Sequence, residues 1–220
     1  MESIVLESIS SVVYGQSSDK LFVFVHGKGG SKEDAGPFAS IACPNGYQVL
    51  SFDLPSLEPW HAVPTLDRIL TKAKESWAHV SIRANSIGAY FTMLSNARES
   101  IDRCLFVSPI LDMERLIGHM MAWRDVTEDR LQKEKIIQTD FGEPLSWEYL
   151  SYVREHRIES WSVPTAILYG TADNLTGRKT VDAFVARFGA GLTVMEGGEH
   201  WFHTSEQLDV LDRWERACLL

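Results

Sequence analysis

Ser81-Ile82-Arg83-Ala84-Asn85-Ser86-Ile87-Gly88-Ala89-Tyr90 is the stretch on which the reading of this chain turns. A short β-prone run, Val80 to Ile82, leads towards a serine. Small residues, Ala84 and Gly88, stand two positions to either side of Ser86, and a helix-like pattern over about 86–97 follows at once. This is how a serine is held on a sharp strand-to-helix turn. The turn imposes strained backbone angles, and small neighbours are needed because the backbone crowds the adjacent strand and helix. The consensus is Gly-x-Ser-x-Gly. With Ala84 in the first position the pentapeptide alone is a weak signal, so its surroundings decide.

Upstream, residues 3–14 alternate and predict one or two edge strands. Leu21 to Val25 is a continuous apolar run, which suits a strand buried on both faces of a mostly parallel sheet. Tyr47 to Phe52 predicts the next strand. Leu66, Ile69, Leu70, Ala73 and Trp77 fall on one face of a helix over about 65–78. Downstream, Cys104 to Val107, Val163 to Tyr169 and Leu192 to Met195 read as strands, with a helix over about 177–188 between the last two. A final helix begins near Thr204, where Thr204 and Gln207 suggest a capping box. Leu208, Leu211, Trp214 and Cys218 would form its buried stripe. Strands alternating with helices predict an α/β fold with a mostly parallel central sheet flanked by helices.

Residues 110–162 break this alternation. Methionines and Trp123 come first, then a charged segment with Thr127 as N-cap, then a helical pattern over Trp147 to Val153. The whole of 1–220 therefore reads as a single domain, with 110–162 a helical insertion, or cap, within it. At 220 residues and 45% hydrophobic composition the chain suffices for one sizeable core. A net charge of −9 disfavours nucleic acid or an anionic membrane as partner. The three widely spaced cysteines fit no metal spacing and read as buried small hydrophobes in a reducing compartment. Residues 1–16 carry no basic start or long apolar run, so a cytoplasmic protein, monomer or homodimer, is expected.

A serine hydroxyl needs a base, a group to orient that base, and donors for the oxyanion. Each has a candidate at a strand end. His200, in Gly197-Gly198-Glu199-His200-Trp201-Phe202, is the candidate base, with His203 its rival. Asp173, in Tyr169-Gly170-Thr171-Ala172-Asp173-Asn174, is the candidate orienting acid. Its competing role is an Asx-turn or helix cap, and Asp112 is the alternative acid. The backbone N–H groups of Ile87 and Lys28 are the candidate oxyanion donors. Ile87 opens a helix, and Lys28 lies in His26-Gly27-Lys28-Gly29-Gly30-Ser31 directly after a buried strand. That loop fits neither the Walker pattern nor the dinucleotide fingerprint. His200-x-x-His203 has no third ligand cluster, so no metal or other cofactor is expected. Met113, Met120, Met121 and Trp123 are candidates for an apolar acyl pocket, or else pack the insertion; Trp201 joins them as a substrate-binding candidate. Arg83 is an odd residue for a buried strand and calls for a carboxylate partner.

Taken together, these segments resemble the α/β-hydrolase superfamily over nearly the whole chain. The resemblance rests on the elbow Ala84–Gly88, the loop His26–Gly30, the segment Val163–Asp173, the late His200, and the order Ser86, Asp173, His200. It implies a small serine esterase or lipase-like hydrolase acting on a carboxylic ester or thioester of small to medium acyl group through an acyl-enzyme. A peptidase, an acyltransferase and a non-catalytic binding protein of the same fold are the alternatives. Two departures stand out: Ala84 replaces the first elbow glycine, and Leu54-Pro55-Ser56-Leu57 lacks a glycine-rich turn common in relatives. The subfamily, and with it the substrate, stays open.

Overall fold

A computed structural model describes residues 2–220. Strands β1 (Glu2–Leu6) and β2 (Ile9–Tyr14) form an antiparallel hairpin whose turn residues, Glu7 and Ser8, both take positive φ. There follow β3 (Lys20–Val25), α1 (Gly36–Ala42), β4 (Gln48–Phe52), α2 (Pro59–Ser76), β5 (His79–Asn85), α3 (Ile87–Leu94) and β6 (Cys104–Val107). The inserted segment supplies α4 (Met113–Trp123), α5 (Glu128–Glu134), β7 (Ile136–Ile137), β8 (Leu145–Ser146) and α6 (Trp147–Glu155). The sheet then resumes with β9 (Thr165–Gly170), α7 (Arg178–Phe188), β10 (Gly191–Met195) and α8 (Ser205–Leu219).

Eight strands form one sheet in the order β1-β2-β4-β3-β5-β6-β9-β10. The six from β4 to β10 in that order run parallel, and β2 is antiparallel to β4. Leu21 to Val25 of β3 are all buried, as their unbroken apolar run requires of a strand covered on both faces. From β3 the chain crosses to β4 on one side, and after β5 it proceeds to β6 on the other. The carboxyl ends of β3 and β5 therefore flank a topological switch point, where open parallel sheets place their sites.

Several boundaries differ from the sequence expectation. Helix α2 starts at Pro59, well before residue 65: Pro59 sits where a helix has no N–H to lose, and Pro64 is carried inside the helix. Helix α3 ends at Leu94, short of residue 97, because Ser95 turns to extended angles and Asp67 of α2 accepts hydrogen bonds from the Ser95 hydroxyl and the Asn96 and Ala97 N–H groups. At α8 Thr204 caps the helix by accepting from Gln207 N. The Gln207 side chain, however, accepts from His203 N, one residue earlier than a capping box would have it. The buried face of α8 also differs. Gln207, Trp214, Glu215 and Leu219 are buried, whereas Leu208 is exposed and Leu211 and Cys218 are only partly covered.

The chain divides into two compact units: the residues up to Leu111 with Ser160–Leu220, and Asp112–Glu159. The second unit is held by its own side chains. Arg154 of α6 donates to Glu114 of α4 at 2.8 Å and to Glu128 of α5 at 2.6 Å, and Arg157 donates to Glu114 at 3.0 Å. One guanidinium thus ties three helices. Thr127 caps α5 by accepting from Arg130 N, and Asp112 caps α4 by accepting from Arg115 N at 2.9 Å.

Candidate active site

Ser86 sits between β5 and α3 with φ 50° and ψ −120°, a conformation that costs a non-glycine residue about 1–3 kcal/mol. Its backbone is pinned on both sides. Ser86 N donates to Val107 O of β6 at 3.0 Å, and Ser86 O accepts from Ile110 N at 3.1 Å. The small neighbours have a steric reason. A Cβ on Gly88 would lie 2.7 Å from both His26 O and Val25 O, so no larger residue fits. Ala84, buried in β5 between Val25 and Phe106, finds room for its methyl group.

The Ser86 Oγ lies 2.8 Å from Nε2 of His200, and Nδ1 of His200 lies 2.7 Å from Oδ2 of Asp173. With the Asp173 carboxylate as acceptor, the imidazole carries its proton on Nδ1. Nε2 is then the acceptor for the Ser86 hydroxyl. The Asp173 carboxylate is fully buried. Its other oxygen, Oδ1, accepts from Leu175 N at 2.8 Å and Thr176 N at 2.9 Å. The two roles weighed for Asp173 thus coexist: one oxygen closes an Asx-type turn, the other holds the histidine.

The acid loop and the histidine loop are brought together by backbone contact. Thr171 N donates to Met195 O, Ala172 N to Gly198 O, and Gly197 N to the Thr171 hydroxyl. Gly170 is required at this crossing, since a Cβ there would meet Gly198 O at 2.2 Å.

At the end of β3, His26 is buried and fixed as a neutral tautomer: Nε2 accepts from Leu54 N at 3.0 Å, which leaves Nδ1–H to donate to Gly27 O at 2.8 Å. The loop after it turns back through a Gly30 N to Gly27 O bond, with Lys28 in the turn. Gly27 packs beside Ser86, its missing Cβ only 3.2 Å from the serine Cβ. Lys32 is drawn to Asp53 at the end of β4, donating its N–H at 2.9 Å and its ammonium at 2.7 Å. Ile87 is the first residue of α3, where a helix N–H has no intrahelical acceptor.

The rivals named from sequence lie elsewhere. His203 stacks on Trp201, with centroids 4.8 Å apart, and its Nδ1 lies 2.7 Å from Trp201 O and 3.4 Å from Glu199. Asp112 is a helix cap, and Asp173 is the carboxylate on His200. Among the described residues no group of three or more His, Cys, Asp or Glu side chains is arranged to hold a metal ion. Trp201 is 75% exposed beside His200. Met113, Met120, Met121 and Trp123 all lie on α4 of the second unit. Met113 and Met121 are buried, Met120 is partly covered, and Trp123 is half exposed with its ring edge-on to Phe141. Arg83 finds its carboxylate in Glu215 of α8. Sequence reasoning missed Thr176. Its only local signal is its place three residues after Asp173, within reach of an Asx-type turn.

This sheet order, with a strained serine after the central β5, defines the α/β-hydrolase fold, and the chain has it. Solved structures of that fold superpose over its whole length. The protein is similar to Est1E from Butyrivibrio proteoclasticus, solved with ferulic acid bound, at 17% identity with a TM-score of 0.77, covering 100% of this chain and 98% of that one. A putative hydrolase from Agrobacterium vitis S4 matches at 15% identity and a TM-score of 0.80, covering 100% and 98%. The Pyrococcus furiosus esterase Pf2001 matches at 17% identity and a TM-score of 0.71, covering 99% and 87%. No protein-family model and no curated protein matches the chain. No helix among the described residues is long and apolar enough to cross a membrane.

Proposed function

We propose that the protein is a serine hydrolase that cleaves a carboxylic ester or thioester of small to medium acyl group through an acyl-enzyme. The observation that supports this most strongly is the unbroken relay from the Ser86 hydroxyl through His200 to the buried Asp173. Ser86 Oγ attacks the acyl carbon, and its proton passes to His200 Nε2. The C–O or C–S bond then breaks as His200 returns that proton to the leaving group. Water, deprotonated by the same imidazole, attacks the acyl-serine and releases the acid and the free serine. Asp173 holds the tautomer and stabilises the imidazolium. The N–H groups of Ile87 and Lys28 are assigned to the oxyanion, where losing one such donor typically costs roughly 10²–10³ in turnover.

Est1E, of the same fold, binds ferulic acid. This makes esters of aromatic acids the first class to test beside short aliphatic ones. The test is labelling with a fluorophosphonate, followed by a panel of p-nitrophenyl and aryl-acid esters and acyl thioesters. Native protein is expected to be labelled and to turn over members of the panel, and Ser86→Ala to do neither. An unlabelled native protein would favour a binding role for the fold.

A further inference from the structure

The relay belongs to a closed circuit of hydrogen bonds whose remaining members lie outside the three reacting side chains. From Ser86 the circuit runs through the backbone to the end of β6, by Ser86 N to Val107 O and Ile110 N to Ser86 O. Between those two contacts the chain turns sharply at Ser108, whose φ of 45° is a left-handed conformation that serine seldom takes. The carbonyl of the next residue, Pro109, accepts a hydrogen bond from the Thr176 hydroxyl at 3.0 Å. Thr176 N in turn donates to Asp173 Oδ1, while Asp173 Oδ2 holds His200 and His200 holds Ser86. Thr176 is 4% exposed, and its hydroxyl is the side-chain link in this circuit between the acid loop and the turn that pins the serine.

We propose that Thr176 is a positioning residue for the reaction. Its hydroxyl clamps the acid loop to the β6 turn, so that the Asp173 carboxylate and the Ser86 elbow are held to one frame and His200 is gripped between them. The proposal rests on the reading of Ser86, His200 and Asp173 given above. The physical reason is register. A carboxylate on a loop orients an imidazole only as well as the loop itself is fixed, and a misplacement of about 1 Å in such a group can cost roughly 10²-fold in rate. The backbone N–H of Thr176 remains in any substitution, so removing only the hydroxyl frees the loop without stripping Asp173 of its donors.

The experiment compares Thr176→Val, Thr176→Ser and Thr176→Ala with native protein. It measures ester hydrolysis across pH, fluorophosphonate labelling and thermal melting. Thr176→Val is expected to lower kcat roughly ten- to a hundredfold, with KM unchanged. Thr176→Ser, which keeps the hydroxyl, should restore kcat. Should the valine variant not fold, the serine and alanine variants carry the same comparison. A hydroxyl-free variant that melts lower but keeps native kcat would overturn the proposal, as would a serine variant no better than alanine. A native protein that takes up no fluorophosphonate would overturn the reading of the site and this proposal with it. Labelled native protein with unchanged variants would overturn this proposal alone.

Discussion

Arg83 and Glu215 meet inside the body of the protein, Nε donating to Oε1 at 2.7 Å, with both side chains all but fully buried. The pair ties β5, the strand that carries the serine, to α8, the helix that follows the histidine loop. The guanidinium also donates to Asn85 Oδ1 at 2.6 Å, directly beside Ser86, and lies against the rings of Phe24 and Phe38. Burial pushes the Glu215 carboxyl up from its ordinary value, and Arg83 opposes that shift.

Breaking such a pair leaves an uncompensated buried charge. Arg83→Met is therefore expected to destabilise the protein by about 3–5 kcal/mol. The double variant Arg83→Met, Glu215→Leu, with neither charge present, should recover most of that loss. Urea unfolding of the two variants and the native protein checks this; equal losses in the single and double variants would show that packing, not the orphaned charge, sets the cost.

Ser86 pays for its position in backbone strain. Glycine adopts φ 50° without penalty, so Ser86→Gly should raise stability by about 1 kcal/mol. It should also abolish turnover. A thermal melt of the glycine variant that falls below that of native protein would contradict the strain assigned to the elbow.

Gly170 and Gly198 touch backbone to backbone, so Gly170→Ala must push the acid loop away from the histidine loop. A loss of about 1–3 kcal/mol is expected from the collision, together with a fall in kcat larger than the unfolded fraction explains. Gly46→Ala, at a site where an added Cβ meets nothing within 4 Å, is the control. Its φ of 83° makes it strained without touching either loop, so it should lower stability and leave kcat alone.

Much of this was legible in the sequence for physical reasons. The all-apolar run Leu21–Val25 admits little but a doubly covered strand, and Ala84 and Gly88 mark the crowding around a strained serine. The order of Ser86, Asp173 and His200 placed each at a strand end, and the structure brings all three within hydrogen-bonding distance. What local pattern does not carry is long-range partnership. Arg83 was visibly out of place, but Glu215 lies 132 residues away, on a helix face that apolar periodicity assigned to Leu208. The spacing of Thr176 from Asp173 signals only its backbone turn; its hydroxyl's partner, a backbone carbonyl 67 residues distant, leaves no local mark. In the inserted unit the helices were readable, but the Arg154 tie to Glu114 and Glu128 depends on packing that periodicity does not encode.

The proposed proton transfer through His200 has its own signature. A neutral imidazole accepts the Ser86 proton and an imidazolium does not, so turnover should fall on acidification. Replacing the orienting carboxylate, Asp173→Asn, leaves the ring in place but favours the wrong tautomer, and kcat should drop by roughly 10⁴. Steady-state rates with one p-nitrophenyl ester across pH test both. A rate that stays flat into acid, or an asparagine variant of native activity, would contradict the relay.

The proposed covalent intermediate offers the most direct test. Native protein mixed rapidly with p-nitrophenyl acetate and quenched in acid should carry one acetyl group, located by peptide mass spectrometry on the Ser86 hydroxyl. His200→Ala should acquire it far more slowly, and Ser86→Ala not at all. No acetylated Ser86 in a sample that releases p-nitrophenol, or an adduct that survives in Ser86→Ala, would contradict the account.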